Sequence, residues 1–454
     1  MSQVNLSYRS EEVAAIMRYL RFGDSVSVVG VSGMGKSNLF RFLQRPEIRE
    51  AVFQANWTNY LIVGFDSNAL GQITERAAYD LLLESLLAEA KRAGMVAELI
   101  AQLDELHAAI KVSSQHLDGK RMFGQAMRLL LESTARHVAI LFDQFDQAYE
   151  QLPSHFFANL RFVRDEFKHR ISYVTFTREE LPRLCAAKEC EEFYELSSLN
   201  VIALRPYNAA DAGRLLEDIV ERHEQHWSES DCRVLLELTG CHPAILKAAI
   251  MAVLGGHLEL AELEEIPLKE FLLNRGINHE CEKVYESLSK EEKVGLRMYA
   301  LGKSSHVDTD VLKRLVFKRL IAGQKIALGP LFIEYVTNFA PRANAATKIQ
   351  AGPIRIDTAG EVWVNREIIQ PPLTRKELLL LSYFCLEPGR LRSKDEIISN
   401  VYVSEYAAGN SVSDEALNAL VRRLRERIEP VARGRCRIAT IRGKGYRFEI
   451  PSEV

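Results

Sequence analysis

Gly30-Val31-Ser32-Gly33-Met34-Gly35-Lys36-Ser37 fits the pattern G-x-x-x-x-G-K-[ST] at every constrained position. An apolar run before it, Ser25 to Val29, reads as a buried strand, and Asn38-Leu39-Phe40-Arg41-Phe42-Leu43 after it reads as a helix. In that setting the glycines let the backbone curl, so that successive N–H groups and the helix N-terminus face an anion. Gly30, Val31, Ser32, Gly33, Met34, Gly35, Lys36, Ser37 and Asn38 are therefore the expected nucleotide contacts. Lys36 is expected to reach the β- and γ-phosphates and the Ser37 hydroxyl to ligate Mg²⁺. The ligand this implies is ATP or ADP with Mg²⁺.

A second apolar strand, Val138-Ala139-Ile140-Leu141-Phe142, ends in Asp143-Gln144-Phe145-Asp146. An aspartate at the C-terminal end of a buried parallel strand lies in the crevice where open α/β sheets bind ligands, which makes Asp143 the expected Mg²⁺ carboxylate. Its other reading is a helix cap. A third strand, Ile171 to Phe176, terminates in Thr177-Arg178, where a guanidinium can point at the γ-phosphate or simply lie on the surface. Gln144 follows the metal aspartate; a glutamine orients water but takes no proton at neutral pH, so either Asp146 substitutes as base or its local geometry points it away, and slow turnover is expected. Arg161, Arg164, Lys168 and Arg170 read as a solvated helix face, with an arginine finger as the alternative.

Taken together, these residues resemble the STAND and AAA-like P-loop ATPases over Tyr8 to Val336. The resemblance implies a catalytic set of Lys36, Asp143, Gln144, Asp146 and Arg178. It also implies that Leu238-Thr239-Gly240-Cys241-His242-Pro243 belongs to a helical lid whose proline, Pro243, lies close to the nucleotide. Ser289 and Glu292 form a capping box, followed by a helix at Val307 to Val316 and a hairpin from Leu320 to Leu328, then Leu331-Phe332. This resembles the winged helix that closes over nucleotide in STAND proteins, without a clear version of their histidine motif.

The chain has 454 residues, 47% of them hydrophobic, enough for about three packed domains. No apolar run approaches the roughly 18 to 20 residues needed to span a bilayer, so no membrane partner and a cytoplasmic location, bacterial cytosol or nucleoid, are expected. Seven cysteines, none spaced as C-x-x-C, read mostly as core thiols. The net charge of -3 conceals a local excess: Val421 to Arg447 carries ten basic residues against Glu426 and Glu429. A basic segment of this kind points to nucleic acid.

Around that segment, two alternating stretches, Ile354 to Asp357 and Val362 to Asn365, precede a helix from Arg375 to Leu386 that Thr374 can cap. Further helices begin near Ser393 and Ser413, and a hairpin runs from Ile438 to Ile450. Leu373 to Leu381, Pro388-Gly389-Arg390, Leu420 to Arg425 and Ile441 to Phe448 make Gly352 to Ile450 resemble the OmpR/PhoB-type winged-helix domain of bacterial transcription regulators. The resemblance makes Ser413 to Arg427 the recognition helix. Asn418 and Arg422 are then expected at base edges, Arg423, Arg425 and Arg427 at phosphates, and Arg442 with Lys444 on the wing, where Tyr446 packs or meets the DNA backbone. Protein binding is the alternative for such a domain.

The expected architecture is a multidomain α/β and α+β chain. A P-loop parallel-sheet ATPase core (1–205), a helical lid (206–275) and a winged helix (276–337) lead through a linker (338–350) to an OmpR/PhoB-type winged helix (351–454). The expected function is an ATP-dependent DNA-binding transcription regulator that binds double-stranded DNA, self-associates with nucleotide and has RNA polymerase as a further partner. The alternatives are a signalling or defence ATPase that senses DNA, or an initiation-type AAA-like ATPase.

Overall fold

In the computed structural model a five-stranded, all-parallel sheet lies at the centre of the N-terminal half, with strand order β2-β3-β4-β1-β5. The strands are β1 (Val26–Val29), β2 (Tyr60–Asp66), β3 (His137–Asp143), β4 (Ile171–Thr177) and β5 (Val201–Ala203). The structure describes residues 7–112, 116–185, 188–260, 263, 265–323, 325–340, 349–356, 361–365, 367–371, 373–402, 414–441 and 443–450. Every residue of β1 and β4 is buried, as expected of central strands covered on both faces by helices.

The register positions the chemistry. Val29 pairs with Thr177 on one side and Ala203 on the other, while Asp66 lies level with Asp143. The C-terminal ends of β1, β3 and β4 thus share one edge, and the loops that leave them form the crevice of an open α/β sheet. Three helices missing from the sequence reading, Glu75–Arg92, Ala97–Val112 and His116–Ser133, connect β2 to β3. Beneath them Phe142, Phe145, Tyr149, Phe157, Tyr173 and Phe193 form a linked aromatic core.

Past β5, Asn208 caps Ala209–Arg222 and Ser228 caps Glu229–Thr239, which ends at Gly240 in the left-handed region. Pro243–Leu254 then starts from His242 as N-cap. Arg275–Glu286, Lys290–Ala300 and Thr309–Phe317 follow, the second with the expected capping box of Ser289 and Glu292, and a two-stranded hairpin joins Ile321–Ala322 to Lys325–Ile326. Leu331 and Phe332 lie in a helix, Gly329–Glu334. Gly240 and Gly329 meet backbone to backbone: a Cβ on Gly240 would lie 2.4 Å from the Gly329 nitrogen.

Residues 1–340 and 341–454 form two compact units. Most of the expected linker, 341–348, lies outside the described residues. In the C-terminal unit an antiparallel four-stranded sheet (Ile349–Ala351, Ile354–Ile356, Val362–Val364, Glu367–Ile368) precedes helices Arg375–Leu386, Lys394–Val401 and Asp414–Ala432. Arg437–Ile441 and Gly445–Glu449 form the wing hairpin, and Leu391–Arg392 adds a third strand. Leu417, Leu420, Val421, Leu424 and Ile428 bury one face of the long helix in this unit's own core. Cys185 and Cys190 pair as a disulfide, which corrects their reading as core thiols; Cys281, Cys385 and Cys436 are free and buried.

Gly240→Ala is expected to destabilise the N-terminal unit by about 1–3 kcal/mol, because it adds a side chain at positive φ against a fixed backbone. Thermal unfolding of the full chain followed by calorimetry would measure this, with the C-terminal unit's transition unchanged.

Candidate functional site

The phosphate loop turns through Gly33 at φ 73° and Gly35 at φ 89° before the helix Lys36–Leu43 begins. Neither glycine has room for a side chain. A Cβ on Gly33 would lie 2.7 Å from Ala244 Cβ and 2.8 Å from His242 Cε1, and one on Gly35 would lie 3.2 Å from the Tyr207 hydroxyl. The start of the helix Pro243–Leu254 and the Tyr207 ring therefore pack against the outside of the loop. His242 is fully buried; its Nδ1 accepts from the Ile245 N–H while its Nε2 lies 3.2 Å from the Ser32 carbonyl. Burial, with Lys36 and Arg9 nearby, lowers its pKa to about 4, so the ring is neutral and donates from Nε2. Pro243 is buried behind it as the first helical residue, so the lid bond to the loop comes from His242.

Lys36 is also buried, and its ammonium donates to the carbonyls of Gly30 and, at 3.1 Å, Val31. Burial lowers its pKa from 10.5 to about 8, against the opposing pull of Asp146 and Asp143. Asp143 ends β3 buried, with Oδ1 lacking a hydrogen-bond partner. Burial raises its pKa, and a hydrogen bond from the Ser37 side chain opposes that rise. Gln144, at φ 50°, donates from Nε2 to Ser37 Oγ at 3.1 Å. A buried carboxylate with an orphaned oxygen beside a hydroxyl fits a Mg²⁺ that takes its other ligands from phosphate and water. No cluster of three or more His, Cys, Asp or Glu able to hold a metal occurs among the described residues, as expected for that type of site.

Arg178 and Asp146 are brought together. Asp146 Oδ1 accepts from the Arg178 backbone N–H at 2.8 Å, and Oδ2 lies 3.6 Å from Arg178 Nε. Asp146 is therefore engaged by an arginine and is not free to act as a base in this arrangement. Of the candidate finger residues, Arg161 is held by Asp165 and Glu195, and Arg170 by the carbonyls of Thr134 and Arg136.

Several contributors escaped sequence reasoning. Arg9 donates from its guanidinium to the Met34 carbonyl at 2.6 Å and the Arg205 carbonyl at 3.0 Å, stacks over Tyr207, and donates from its backbone N–H to Asp211 Oδ2 at 3.0 Å. The Tyr8 and Tyr207 hydroxyls lie 3.0 Å apart. With Asn38, Arg41, Phe42 and Asp211 these tyrosines line a cavity of about 360 Å³ beside the first helix of the phosphate loop. The Ser32 N–H donates to Ser287 Oγ at 3.3 Å, so the C-terminal end of the helix Arg275–Glu286 reaches the loop through a serine. None of these pairs is close in sequence, and no local motif announces them.

On the C-terminal unit, Asn418, Arg422 and Arg423 are exposed along Asp414–Ala432, and Lys444 is exposed at the wing turn. Arg422 pairs loosely with Glu426 and Arg423 with Glu377, each at 3.7 Å. Arg425 is committed elsewhere, donating to the Ile438 carbonyl at 2.8 Å and to Thr440 Oγ1 at 2.7 Å, so it ties the helix to the wing. Arg427 donates to the Pro371 carbonyl. Tyr446 is buried, with its hydroxyl donating to Asn418 Oδ1, and thus supports the helix from beneath. Arg442 and Ser413 lie outside the described residues.

Residues 5–162 match the model of the AAA ATPase domain, and residues 370–448 that of the C-terminal domain of transcriptional regulatory proteins. The sensory transduction protein RegX3 of Mycolicibacterium smegmatis is 34% identical over 102 residues, and that of Mycobacterium tuberculosis 32%. The match takes in 22% of this chain and 42% of each relative, so the chain spans about two fifths of the curated relatives it matches. Among solved structures, the Walker-type ATPase PABY2304 of Pyrococcus abyssi is 16% identical at a TM-score of 0.45, covering 72% of this chain and 95% of that one. The Aeropyrum pernix ORC2 protein is also 16% identical, at a TM-score of 0.43, covering 72% and 92%. The chain thus joins an N-terminal AAA ATPase domain to a C-terminal DNA-binding domain of the transcriptional regulatory type. No helix of the described residues is long and apolar enough to cross a membrane.

The depressed pKa of Lys36 carries a pH signature. Below about pH 8 the ammonium exists before a phosphate arrives; above it the amine is neutral, so binding must take up a proton. Affinity for ADP is expected to be flat below about pH 8 and to fall by up to about tenfold per unit above it. Calorimetric titration in buffers of different ionisation enthalpy would measure the proton uptake directly.

Proposed function

We propose that this chain is a transcription regulator whose nucleotide state controls self-association and DNA engagement. The observation that carries this reading is the junction, in one polypeptide, of a phosphate loop completed by Lys36, Ser37 and Asp143 with a helix that exposes Asn418, Arg422 and Arg423. Lys36 and the loop N–H groups would hold the phosphates of ATP or ADP, and Ser37 with Asp143 would hold Mg²⁺. The cavity between Tyr8, Phe42 and Tyr207 suits a planar base. The lid and first winged helix, which touch the loop through His242 and Ser287, support the STAND resemblance.

Gln144 donates to Ser37, and Asp146 pairs with Arg178, so neither stands ready to deprotonate a water. Slow hydrolysis that times a switch fits this arrangement better than rapid turnover. Once assembled, C-terminal units on repeated half-sites would gain affinity through effective concentration. Asn418 and Arg422 are proposed to read base edges, Arg423 and Lys444 to contact backbone phosphates, and RNA polymerase to be the downstream partner.

Lys36→Ala is expected to abolish nucleotide binding, measured with a fluorescent ADP analogue, and to remove any nucleotide-dependent change in DNA affinity. The full-length variant should keep the DNA binding that its C-terminal unit shows by itself. Equal DNA affinity of the full chain with no nucleotide, with ADP and with a non-hydrolysable ATP analogue, across protein concentrations, would overturn the reading. If about six phosphates are neutralised, raising salt from about 50 to 200 mM should weaken DNA binding about a thousandfold.

A further inference from the structure

A buried ionic triad joins the ATPase core to the first winged helix beside the phosphate site. Lys318, only 1% exposed, donates from Nζ to Glu179 Oε2 at 2.6 Å and to Glu292 Oε2 at 2.8 Å. Glu179 directly follows Arg178 on the arm that leaves β4. Glu292 is fully buried, and its other oxygen, Oε1, has no hydrogen-bond partner. Without Lys318 it would be a buried carboxylate with no cation in contact, a far costlier arrangement than the triad. Among the described residues Arg183 also pairs with Glu179, but its Nε lies 3.9 Å from Oε1 and its side chain is exposed, a weak substitute.

The triad lies in a closed circuit of contacts. From the phosphate loop, the Ser32 N–H reaches Ser287 Oγ. Two residues further on, the Ser289 N–H donates at 2.9 Å to the same Glu292 Oε2 that binds Lys318. Lys318 holds Glu179, and the neighbouring Arg178 is held by Asp146, three residues past Asp143. The arm is thus tied at two adjacent positions, at the Arg178 N–H by Asp146 and at Glu179 by Lys318. The winged helix is therefore mechanically connected to both sides of the site.

Resting on the nucleotide reading above, we propose that Lys318 is a positioning residue of the phosphate site. By holding Glu179 it fixes the arm that carries Arg178 and so slows release of bound nucleotide. Coupling of this kind between two packed elements commonly changes an affinity or an escape rate by about 5- to 150-fold.

The test follows release of a fluorescent ADP analogue with Mg²⁺ from the full chain by stopped flow. Lys318→Met and Glu179→Gln are each expected to speed release about tenfold, and the double variant by about the same tenfold, because Glu179→Gln removes no contact that Lys318→Met has left. Lys318→Arg, which keeps the charge, should restore slow release to within about twofold of wild type. Glu179→Gln alters the core arm and leaves the capping box intact, so it reports even if Lys318→Met disturbs the winged helix. Release at the wild-type rate from both single variants, or a double variant about a hundredfold faster, overturns the proposal while the nucleotide reading stands. A wild-type chain that binds no ADP overturns both.

Discussion

The phosphate loop can curl only where side chains are missing, and the space they would take is already filled by the lid. Gly33 faces His242 and Ala244, and Gly35 faces Tyr207. The loop is therefore held from outside by residues two hundred positions away, while its inner N–H groups keep the orientation that attracts an anion. Lid position and loop conformation are one constraint, because neither surface can shift without opening a gap or a clash in the other.

Charge burial sets the second level of organisation. Lys36 and Asp143 are both buried: one donates to the Gly30 and Val31 carbonyls yet has its pKa lowered by burial, and the other retains an oxygen with no partner. Such groups are costly in a protein that never binds an ion, and they become favourable when phosphate and Mg²⁺ supply the missing partners. Lys318 is buried as deeply but has carboxylates from two elements. The first two groups are poised for ligand, and the third ties elements of the protein together.

The C-terminal unit follows the same separation of roles along a single helix. Leu417, Leu420, Val421 and Leu424 bury one face, while Asn418, Arg422 and Arg423 remain exposed on others. Arg425, which the resemblance put at a phosphate, is tied to the wing, and Tyr446, with packing or DNA contact as its two readings, packs and donates to Asn418. They hold the reading surface rather than form it. Sequence spacing identified the helix and its arginines, but whether a given guanidinium meets a neighbouring carbonyl depends on how the wing hairpin folds back.

What could be read from the chain itself was whatever is written in consecutive residues. The Gly30 to Ser37 loop, the strand ending at Asp143, the capping residues Ser289, Thr374 and Ser393, and the apolar period of the last helix all arise from backbone geometry within a few positions. Tertiary structure alone decided that Arg9 holds the loop, that Tyr8 and Tyr207 wall a cavity, that Ser287 meets Ser32, and that Lys318 joins Glu179 to Glu292. Each of those contacts joins residues from separate elements. Hydrogen bonds and ion pairs act over a few ångströms of space whatever the distance along the chain, so only packing of the core brings their partners within reach.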